Sequence, residues 1–540
     1  MRQALTELLS SIEKYGPESI YLADLPTGYG KTKNAPLVYK EFYDMNWVSN
    51  GIHILPLRSL VSSILDDFVQ KDREILKKAG LTENDLAYQM GDFLENYKKE
   101  PLFDASYVLT TMDSYAHNLF KIPVTEIFRY QKHYFIPLGR IFISLIVFDE
   151  AHIFFESEDS AIPSIFLEAI NAHHYMKNPV LILSATLSDF YVREIAKNRK
   201  LVRVKLSLEN KIEEKNGYTE IHIRDKEFED LMKSVKLTVE KIKLADVKQR
   251  AQELASSGLK ILIVIDDIKK ASLLYQSLKD SFNVGLIHSR LTREDRSNVI
   301  KRLDNLDILI GTSAIEAGID RSFDALITTV ININSLIQRI GRVCRYGCKE
   351  SSGKIYLIED FKGSDNNVIN SIVGKDICWR LPYTVSCETN YYELINKFSI
   401  SKIKLNNEYR DSLKRVLSPF YTSQRLLEKF LEDNKYSLTR SLVEFYTLGE
   451  DFLTVKDMKD IISNSFVMEL ELVEKNWNNI KDYIMGIGYF EFKNNTPRLA
   501  DEKKVDNVSD FYIRFIENYG TPPIFILKKD SYIRGVGVLW

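Results

Sequence analysis

Two sets of short apolar runs, each alternating with longer helical patterns, constrain the fold of this chain more than any other feature. The first set lies between Ser19 and Leu206 and reads SIYLAD, GIHILP, SYVLTT, ISLIVFDE, PVLILSAT and LVRVKL. The second set ends near Asp360 and reads KILIVID, VGLIHS, DILIGT, ALITTV and KIYLIE. Such alternation is typical of βαβ units, in which helices connect parallel strands. We therefore predict an α/β protein with two tandem parallel-sheet domains.

The chain is long enough to need several domains, because its 540 residues exceed the roughly 250–300 that one hydrophobic core supports. A charged stretch, LENKIEEKNG, follows the first set of runs and indicates a boundary. After Lys362 the alternation ends; SQRLLEKFLEDN has a helical pattern and PIFILKKDSYIRGVGVLW resembles a hairpin. We expect two α/β domains at 1–207 and 208–361, and a mostly helical C-terminal domain at 362–540.

Composition excludes several classes of protein. With 45% hydrophobic and 27% charged residues, the chain has the balance of a globular protein rather than a disordered one. No signal peptide and no run of about 18 apolar residues is present, so we expect a cytoplasmic location without membrane contact. The net charge of −2 means that any nucleic-acid binding must use a local groove.

The four cysteines are expected to remain unpaired. They lie in the middle of a long chain without a secretory signal, which argues against a disulfide framework. Cys344 and Cys348 are one helical turn apart and could also contribute to a metal knuckle, although simple packing is the more common outcome for such a pair.

A phosphate-binding loop is predicted directly after the first apolar run. Residues 26–32, PTGYGKT, supply the last part of a P-loop, with Leu25 in place of its first glycine. Backbone N–H groups of such a loop bind phosphate oxygens, a lysine adds charge, and a hydroxyl can ligate magnesium. A glycine-rich turn without a ligand is the alternative. The predicted nucleotide-binding residues are Thr27, Gly28, Gly30, Lys31 and Thr32.

A second motif places two carboxylates at the end of the strand ISLIVF. Asp149 and Glu150 follow this run, at the edge where an open α/β sheet binds its ligand. We expect Asp149 to hold the magnesium shell with Thr32, and Glu150 to polarise the attacking water. A charged strand end that caps the next helix is the alternative.

A cluster of cations lies between the last two runs of the second set. Gln338, Arg342 and Arg345 are four and three residues apart, so a helix would present them on one face. An arginine beside a transferring phosphoryl group stabilises the transition state and is worth about 10³–10⁵ in rate. A solvated basic face is the alternative.

Six segments in this order resemble the motifs of superfamily 2 helicases: PTGYGKT, LPLRSL, DEAH, SAT, GTSAIEAGID and QRIGRVCR. The resemblance implies two RecA-like domains that clamp ATP and single-stranded nucleic acid. Arg342 and Arg345 look like the arginine fingers, and Gln338 like the residue that touches the attacking water and the DEAH box. The resemblance further implies a motif V hinge at the nucleotide (Gly318, Asp320), coupling residues (Ser184, Thr186) and contacts to the nucleic-acid backbone (Arg58, Thr111, Thr312).

Details of three segments resemble the CRISPR-associated helicases of type I interference. These are the motif V segment with Phe323 and Asp324 after it, LIHSRLTREDR at 286–296 and TTMDSY at 110–115. This resemblance implies an ATP-dependent and magnesium-dependent translocase on single-stranded DNA that works with an RNA-guided surveillance complex. Many members carry a nuclease domain with an adjacent His-Asp metal pair, but none of the eight histidines here precedes an aspartate. We therefore expect a split form with a separate HD-type nuclease.

Two other interpretations stay open at this point. An RNA helicase of the DEAH or DEAD type would share the ATP motifs but usually has a different motif V. A non-catalytic scaffold that kept the fold would belong to another functional class, although intact Lys31, Glu150, Arg342 and Arg345 argue against it.

Overall fold

The computed structural model describes residues 1–123, 133–156, 161–316, 319, 321–345, 348, 352–399, 402–418, 423–434, 438–439, 441–491, 496–500, 505, 507–538 and 540. The chain divides into two compact units. The first unit comprises Met1–Glu240, Val330–Lys354 and Gly363–Glu428. The second unit comprises Lys241–Thr329, Ile355–Lys362 and Lys429–Trp540.

Ten strands form the sheet of the first unit. Neighbouring strands in this sheet are parallel with one exception: the strands at residues 211–215 and 218–223 pair antiparallel. The strands are β1 (Ile20–Asp24), β2 (Asn50–Leu55), β3 (Leu86–Gln89), β4 (Lys98–Lys99), β5 (Tyr107–Thr111), β6 (Ser144–Phe148), β7 (Val180–Ser184), β8 (Leu201–Leu206), β9 (Lys211–Lys215) and β10 (Tyr218–Ile223). Their order in the sheet is β4-β3-β5-β2-β6-β7-β1-β8-β10-β9.

All six apolar runs of the first set are strands of this sheet. Strands β1, β2, β5, β6 and β7 are buried along their whole length, as expected when helices cover both faces of a parallel sheet. The charged stretch after Leu208 is a β-hairpin here, because β9 pairs with β10 and β10 continues the sheet next to β8.

Helices connect these strands and follow the apolar spacing of the sequence. Along the first helix, for example, Leu5, Leu8 and Ile12 are buried at intervals of three and four residues. The helices are α1 (Gln3–Tyr15), α2 (Lys31–Asp44), α3 (Arg58–Gln70), α4 (Arg73–Lys78), α5 (Met112–Leu119), α6 (Phe135–Phe142), α7 (His152–Glu156), α8 (Ala161–Tyr175), α9 (Asp189–Ala196) and α10 (Lys226–Lys233).

A second sheet contains the five apolar runs of the second set. Its strands are β11 (Leu237–Ile242), β12 (Ile261–Val264), β13 (Val284–Ile287), β14 (Ile308–Gly311), β15 (Ala325–Thr328) and β16 (Gly353–Ile358), in the order β11-β16-β15-β12-β14-β13. Strand β12 is parallel to β14 and β15, and β13 is parallel to β14. The helices of this region are α11 (Val247–Ser256), α12 (Ile268–Leu278), α13 (Arg293–Lys301) and α14 (Ile333–Ile340). Two large, mostly parallel sheets confirm the predicted α/β class.

The region after Lys362 contains helices and also a five-stranded sheet that the helical pattern did not predict. Its elements are α15 (Asn366–Ile372), β17 (Ile377–Cys378), β18 (Thr389–Asn390), α16 (Tyr391–Phe398), α17 (Asn407–Leu417), α18 (Gln424–Asp433), β19 (Leu442–Tyr446), α19 (Met458–Ser463), β20 (Ser465–Glu469), α20 (Leu470–Lys475), α21 (Trp477–Ile480), β21 (Ile484–Glu491), β22 (Thr496–Leu499), α22 (Val508–Tyr519) and β23 (Ile524–Leu527). The sheet has the order β20-β19-β23-β21-β22. The expected C-terminal hairpin is replaced by pairing of β23 with the distant strands β19 and β21.

The cysteines correct one expectation. They form two disulfides, Cys344–Cys348 and Cys378–Cys387, so the prediction that they stay unpaired is wrong. Local turns bring the partners together, with Cα separations of 4.6 and 5.8 Å, and composition does not reveal such turns. Within the described ranges, no helix combines the length and apolar character needed to cross a bilayer.

Candidate active site

The P-loop connects β1 to α2 and leaves the start of that helix open. Gly28 and Gly30 have φ angles of 80° and 97°, a left-handed conformation that glycine adopts without steric cost. No side chain caps the first turn of α2, so its N–H groups are available to an anion. Leu25, in the place of the usual first glycine, is buried and donates its N–H to the Ser184 carbonyl at 3.1 Å. This position extends the strand, and no glycine is needed there.

Lys31 lies inside the loop, with only 7% of its surface exposed. Its Nζ donates to the carbonyl oxygens of Leu25 at 2.6 Å and Pro26 at 3.2 Å. Burial lowers the pKa of Lys31, and the charges of Glu150 and Asp149 oppose that shift. The ammonium is therefore held in the loop close to both carboxylates that follow β6.

Asp149 is buried and oriented by a histidine from the neighbouring strand. Its Oδ2 lies 3.1 Å from Nε2 of His53, whose Nδ1 lies 3.0 Å from the Tyr107 hydroxyl. Burial opposes ionisation of Asp149, but the hydrogen bond and charge of His53 and a hydrogen bond from Thr32 outweigh it and hold the pKa below its usual value. Asp149 is thus an ionised carboxylate beside a hydroxyl, a donor pair that suits Mg²⁺.

Glu150 occupies an uncommon backbone conformation with φ at 50°, which in a non-glycine residue often marks a functional position. Its N–H donates to Asp149 Oδ1 at 2.9 Å, and its Oε2 is buried without a hydrogen-bond partner among the described residues. Burial raises the pKa of Glu150 and Asp149 adds to the shift, whereas Lys31, Arg342 and Arg345 oppose it. A raised pKa suits a group that accepts a proton near neutral pH.

A hydrogen-bonded chain joins α14 to the loops after β6 and β7. Gln338 Nε2 lies 2.6 Å from His152 Nε2, and His152 Nδ1 lies 3.2 Å from Ser184 Oγ. The Thr186 N–H donates to the same hydroxyl at 3.3 Å. Burial, assisted by the charge of Lys31, lowers the pKa of His152 to about 3, so its imidazole is neutral. These hydrogen bonds bring together the predicted residues Gln338, Ser184 and Thr186.

The two predicted arginine fingers follow α14 within the same compact unit as the P-loop. The charges of Arg342 and Arg345 both act on Glu150. A Cβ built on Gly28 would lie 3.8 Å from Arg345 Nε, so this guanidinium lies directly beside the P-loop. The structure thus places the cations, the P-loop and the two carboxylates in one site.

The predicted nucleic-acid contacts are distributed over both units. At the start of α3, Arg58 pairs with Asp92 at 2.8 Å. Thr111 caps α5 and is only 6% exposed, with its hydroxyl bonded to Ser114. Thr312 belongs to the second unit and is 8% exposed. Gly318 and Asp320 lie outside the described residues.

Sequence reasoning missed His53 and did not assign a role to His152. A single histidine inside the apolar run GIHILP is a weak signal for His53, and the DEAH motif itself contained the signal for His152. It also missed Arg380, which donates to the carbonyls of Gly341 at 2.9 Å and Ile340 at 3.2 Å. No local pattern marks that arginine.

One group of side chains in the described ranges has metal-ligand spacing: Glu213, Glu220 and His222. Cations already neutralise its carboxylates, since Lys211 lies 2.8 Å from Glu213 and Lys205 lies 2.8 Å from Glu220. This group is an ion-pair cluster on β9 and β10.

The P-loop and the DEAH box follow strands of a parallel sheet, and the paired arginines follow α14, an arrangement that resembles the superfamily 2 helicases. The family model of the DEAD/DEAH box helicases matches residues 4–195, and that of the C-terminal part of the CRISPR-associated nuclease/helicase Cas3 matches residues 257–347. The helicase match implies nucleotide binding. In both of these regions the chain is similar to Cas3-like superfamily 2 helicases.

Individual relatives agree with this assignment. The CRISPR-associated helicase Cas3 of Thermoproteus tenax is 23% identical over 62% of this chain and 55% of its own length. The CRISPR-associated nuclease/helicase Cas3 of Streptococcus thermophilus is 22% identical over 95% of this chain and 58% of its own length. The chain therefore spans little more than half the length of these relatives.

A solved structure supports the fold. The crystal structure of T. fusca Cas3-ADP superposes with a TM-score of 0.57 at 14% identity, covering 87% of this chain and 64% of that chain. At this level of identity the similarity shows the fold alone.

Proposed function

We propose that this chain is the ATP-dependent single-stranded DNA translocase, or helicase, of type I CRISPR interference. The observation that carries the proposal is the series of hydrogen bonds from Gln338 through His152 to Ser184, which links α14 to the loops after β6 and β7. This linkage allows a change at the phosphates to be transmitted to the elements that carry the other motifs. The Cas3 relatives supply the CRISPR context.

In the proposed reaction, Lys31 leaves the loop carbonyls and donates to the β/γ phosphates of ATP. Glu150 accepts a proton from the attacking water, which its raised pKa favours. Arg342 and Arg345 stabilise the charge that develops on the transferring phosphoryl group. Thr32 and Asp149 would hold Mg²⁺, which would neutralise phosphate charge. Thr27, Gly28 and Gly30 provide the backbone that surrounds the phosphates.

The remaining predicted residues have proposed roles in coupling and in DNA binding. Ser184 and Thr186 would couple the nucleotide state to movement, and Gly318 with Asp320 would form the hinge of motif V. Arg58, Thr111 and Thr312 would contact the DNA backbone, Arg58 by charge and the threonines by hydrogen bonds. The division into domains 1–207, 208–361 and 362–540 is likewise a proposal.

The proposed setting is the cytoplasm, with an RNA-guided surveillance complex that delivers the single strand. Cleavage would need a separate HD-type nuclease. This proposal rests on the histidines of the 540 residues, because none of them is followed by an aspartate.

An ATPase assay with matched nucleic acids tests the proposed function. We expect single-stranded DNA to stimulate turnover more than duplex DNA or RNA of the same length and sequence. Stronger stimulation by RNA would favour an RNA helicase, and no turnover with any nucleic acid would favour a scaffold. Lys31→Ala serves as the background control for contaminating ATPases.

A further inference from the structure

The two predicted arginine fingers, Arg342 and Arg345, lie in the turn that follows helix α14. Helix α14 ends at Ile340, whose carbonyl accepts from the Val343 N–H of that turn at 3.0 Å. Arg380 supplies three hydrogen bonds at this point. Its Nη1 donates to the Gly341 carbonyl at 2.9 Å, and its Nη2 donates to the carbonyls of Ile340 at 3.2 Å and Val343 at 2.5 Å. The acceptors surround Arg342 in sequence.

Arg380 is a buried cation, with 8% of its surface exposed. Burial and, after it, the charge of Arg345 lower the pKa of Arg380 to about 10, so it remains charged at neutral pH. A positive charge at the carboxyl end of a helix is favourable because the helix dipole is negative there. Lysine would keep this charge but could not reproduce the planar arrangement of donors.

The segment around Arg380 also packs against the nucleotide site. A cavity of only about 10 Å³ lies among Trp379, Arg380, the P-loop and the loop after β7, close to the minimum volume for one water. Its lining residues are Pro26, Thr27, Ala185, Ile337, Gly341, Trp379, Arg380 and Tyr391. The segment that carries Arg380 therefore lies against both the P-loop and the turn that follows α14.

We infer that Arg380 is a positioning residue for ATP hydrolysis, which holds the turn that carries Arg342 and Arg345 at the P-loop. The inference rests on the proposed function, because it assigns those arginines to the transition state. A displacement of about 1 Å at a catalytic group can cost about 10² in rate. Loss of Arg380 therefore affects turnover more than nucleotide binding.

The test compares Arg380→Ala and Arg380→Lys with the wild type in a DNA-stimulated ATPase assay. We expect kcat to fall about 10²-fold in Arg380→Ala and at least about 10-fold in Arg380→Lys, with the KM for ATP changed less than about threefold. Arg498→Ala is the matched control, since Arg498 is an exposed arginine of the other unit, paired with Glu491. Melting temperatures establish that each variant is folded. If Arg380→Ala does not fold, Arg380→Lys decides.

A double mutant separates positioning from a merely structural role. If Arg380 acts through the fingers, Arg345→Ala combined with Arg380→Lys loses less activity than the product of the two single losses. Multiplicative losses, or a wild-type kcat in a folded Arg380 variant, would overturn the inference. Failure of the proposed function is recognised separately, because the wild type would then show no more ATPase activity than Lys31→Ala.

Discussion

The ammonium of Lys31 is bonded to two carbonyls of its own loop, so the residue contributes charge to the site and little apolar packing. We expect Lys31→Ala to abolish ATP hydrolysis while the protein stays folded, because the phosphates lose their principal cation. Turnover and melting temperature are the measurements. Lys33→Ala, an exposed lysine two positions along, should retain wild-type turnover. Wild-type activity in Lys31→Ala would contradict the P-loop assignment.

Glutamine has nearly the same shape as glutamate, so Glu150→Gln removes the negative charge of this side chain and changes little else. We expect this variant to bind ATP and hydrolyse it at least about 10²-fold more slowly, because the amide cannot accept the proton of the water. Nucleotide affinity and single-turnover rates check the prediction. Asp149→Asn is the contrasting variant and should weaken magnesium-dependent binding. Equal loss of binding in both variants would indicate that Glu150 is structural.

The guanidinium of Arg345 lies beside Gly28 and acts on Glu150. We expect Arg345→Ala to reduce kcat by at least about 10³ with a small change in ATP affinity, because a finger acts on transition-state charge. Steady-state kinetics and nucleotide titration together measure both quantities. Comparable losses of affinity and kcat would instead identify a contact to the ground-state phosphates.

At the scale of elements, the site depends on how β1 passes into α2. Gly30 directly precedes α2 in a left-handed conformation, and a Cβ there would lie 3.1 Å from the Lys33 side chain and 3.2 Å from that of Asn34. We expect Gly30→Ala to lower the free energy of unfolding by about 1–2 kcal/mol and to weaken ATP binding. Chemical denaturation and nucleotide titration check this.

A matched substitution in a helix provides the control for that effect. Gly139 lies within α6, and no described residue comes within 4 Å of a Cβ built there. Gly139→Ala should therefore stabilise the protein by roughly 0.5–1 kcal/mol, since alanine is the better helix former. Destabilisation by both substitutions would show that the left-handed backbone of Gly30 is not the cause.

At the scale of the whole molecule, the residues assigned to DNA belong to both compact units, with Arg58 and Thr111 in the first and Thr312 in the second. We expect the purified chain to hydrolyse ATP on single-stranded DNA without cutting it. Labelled single-stranded DNA incubated with Mg²⁺ or Mn²⁺ should stay intact, because the histidines do not form a His-Asp metal pair. Cleavage that copurifies with the chain and persists in Lys31→Ala would refute the separate nuclease.

The sequence by itself determined the α/β class, all eleven strands of the two apolar sets, and the P-loop and DEAH positions at strand ends. These features could be predicted because hydrophobic periodicity and glycine turns are local properties of a chain. The prediction that one helix face presents Gln338, Arg342 and Arg345 was wrong, because α14 ends at Ile340 and both arginines lie in the turn after it. The sequence pattern also could not show that Arg342 and Arg345 lie near the P-loop and Glu150.

Only the tertiary structure decided which distant groups complete the site. His53 orients Asp149 across 96 residues of sequence, and Arg380 holds the finger turn across 39. Pairing of β19 with β23 likewise required distant chain segments to be brought together. The physical reason is that hydrogen bonds, ion pairs and strand pairing depend on distance in space, whereas local sequence patterns report only on neighbours along the chain.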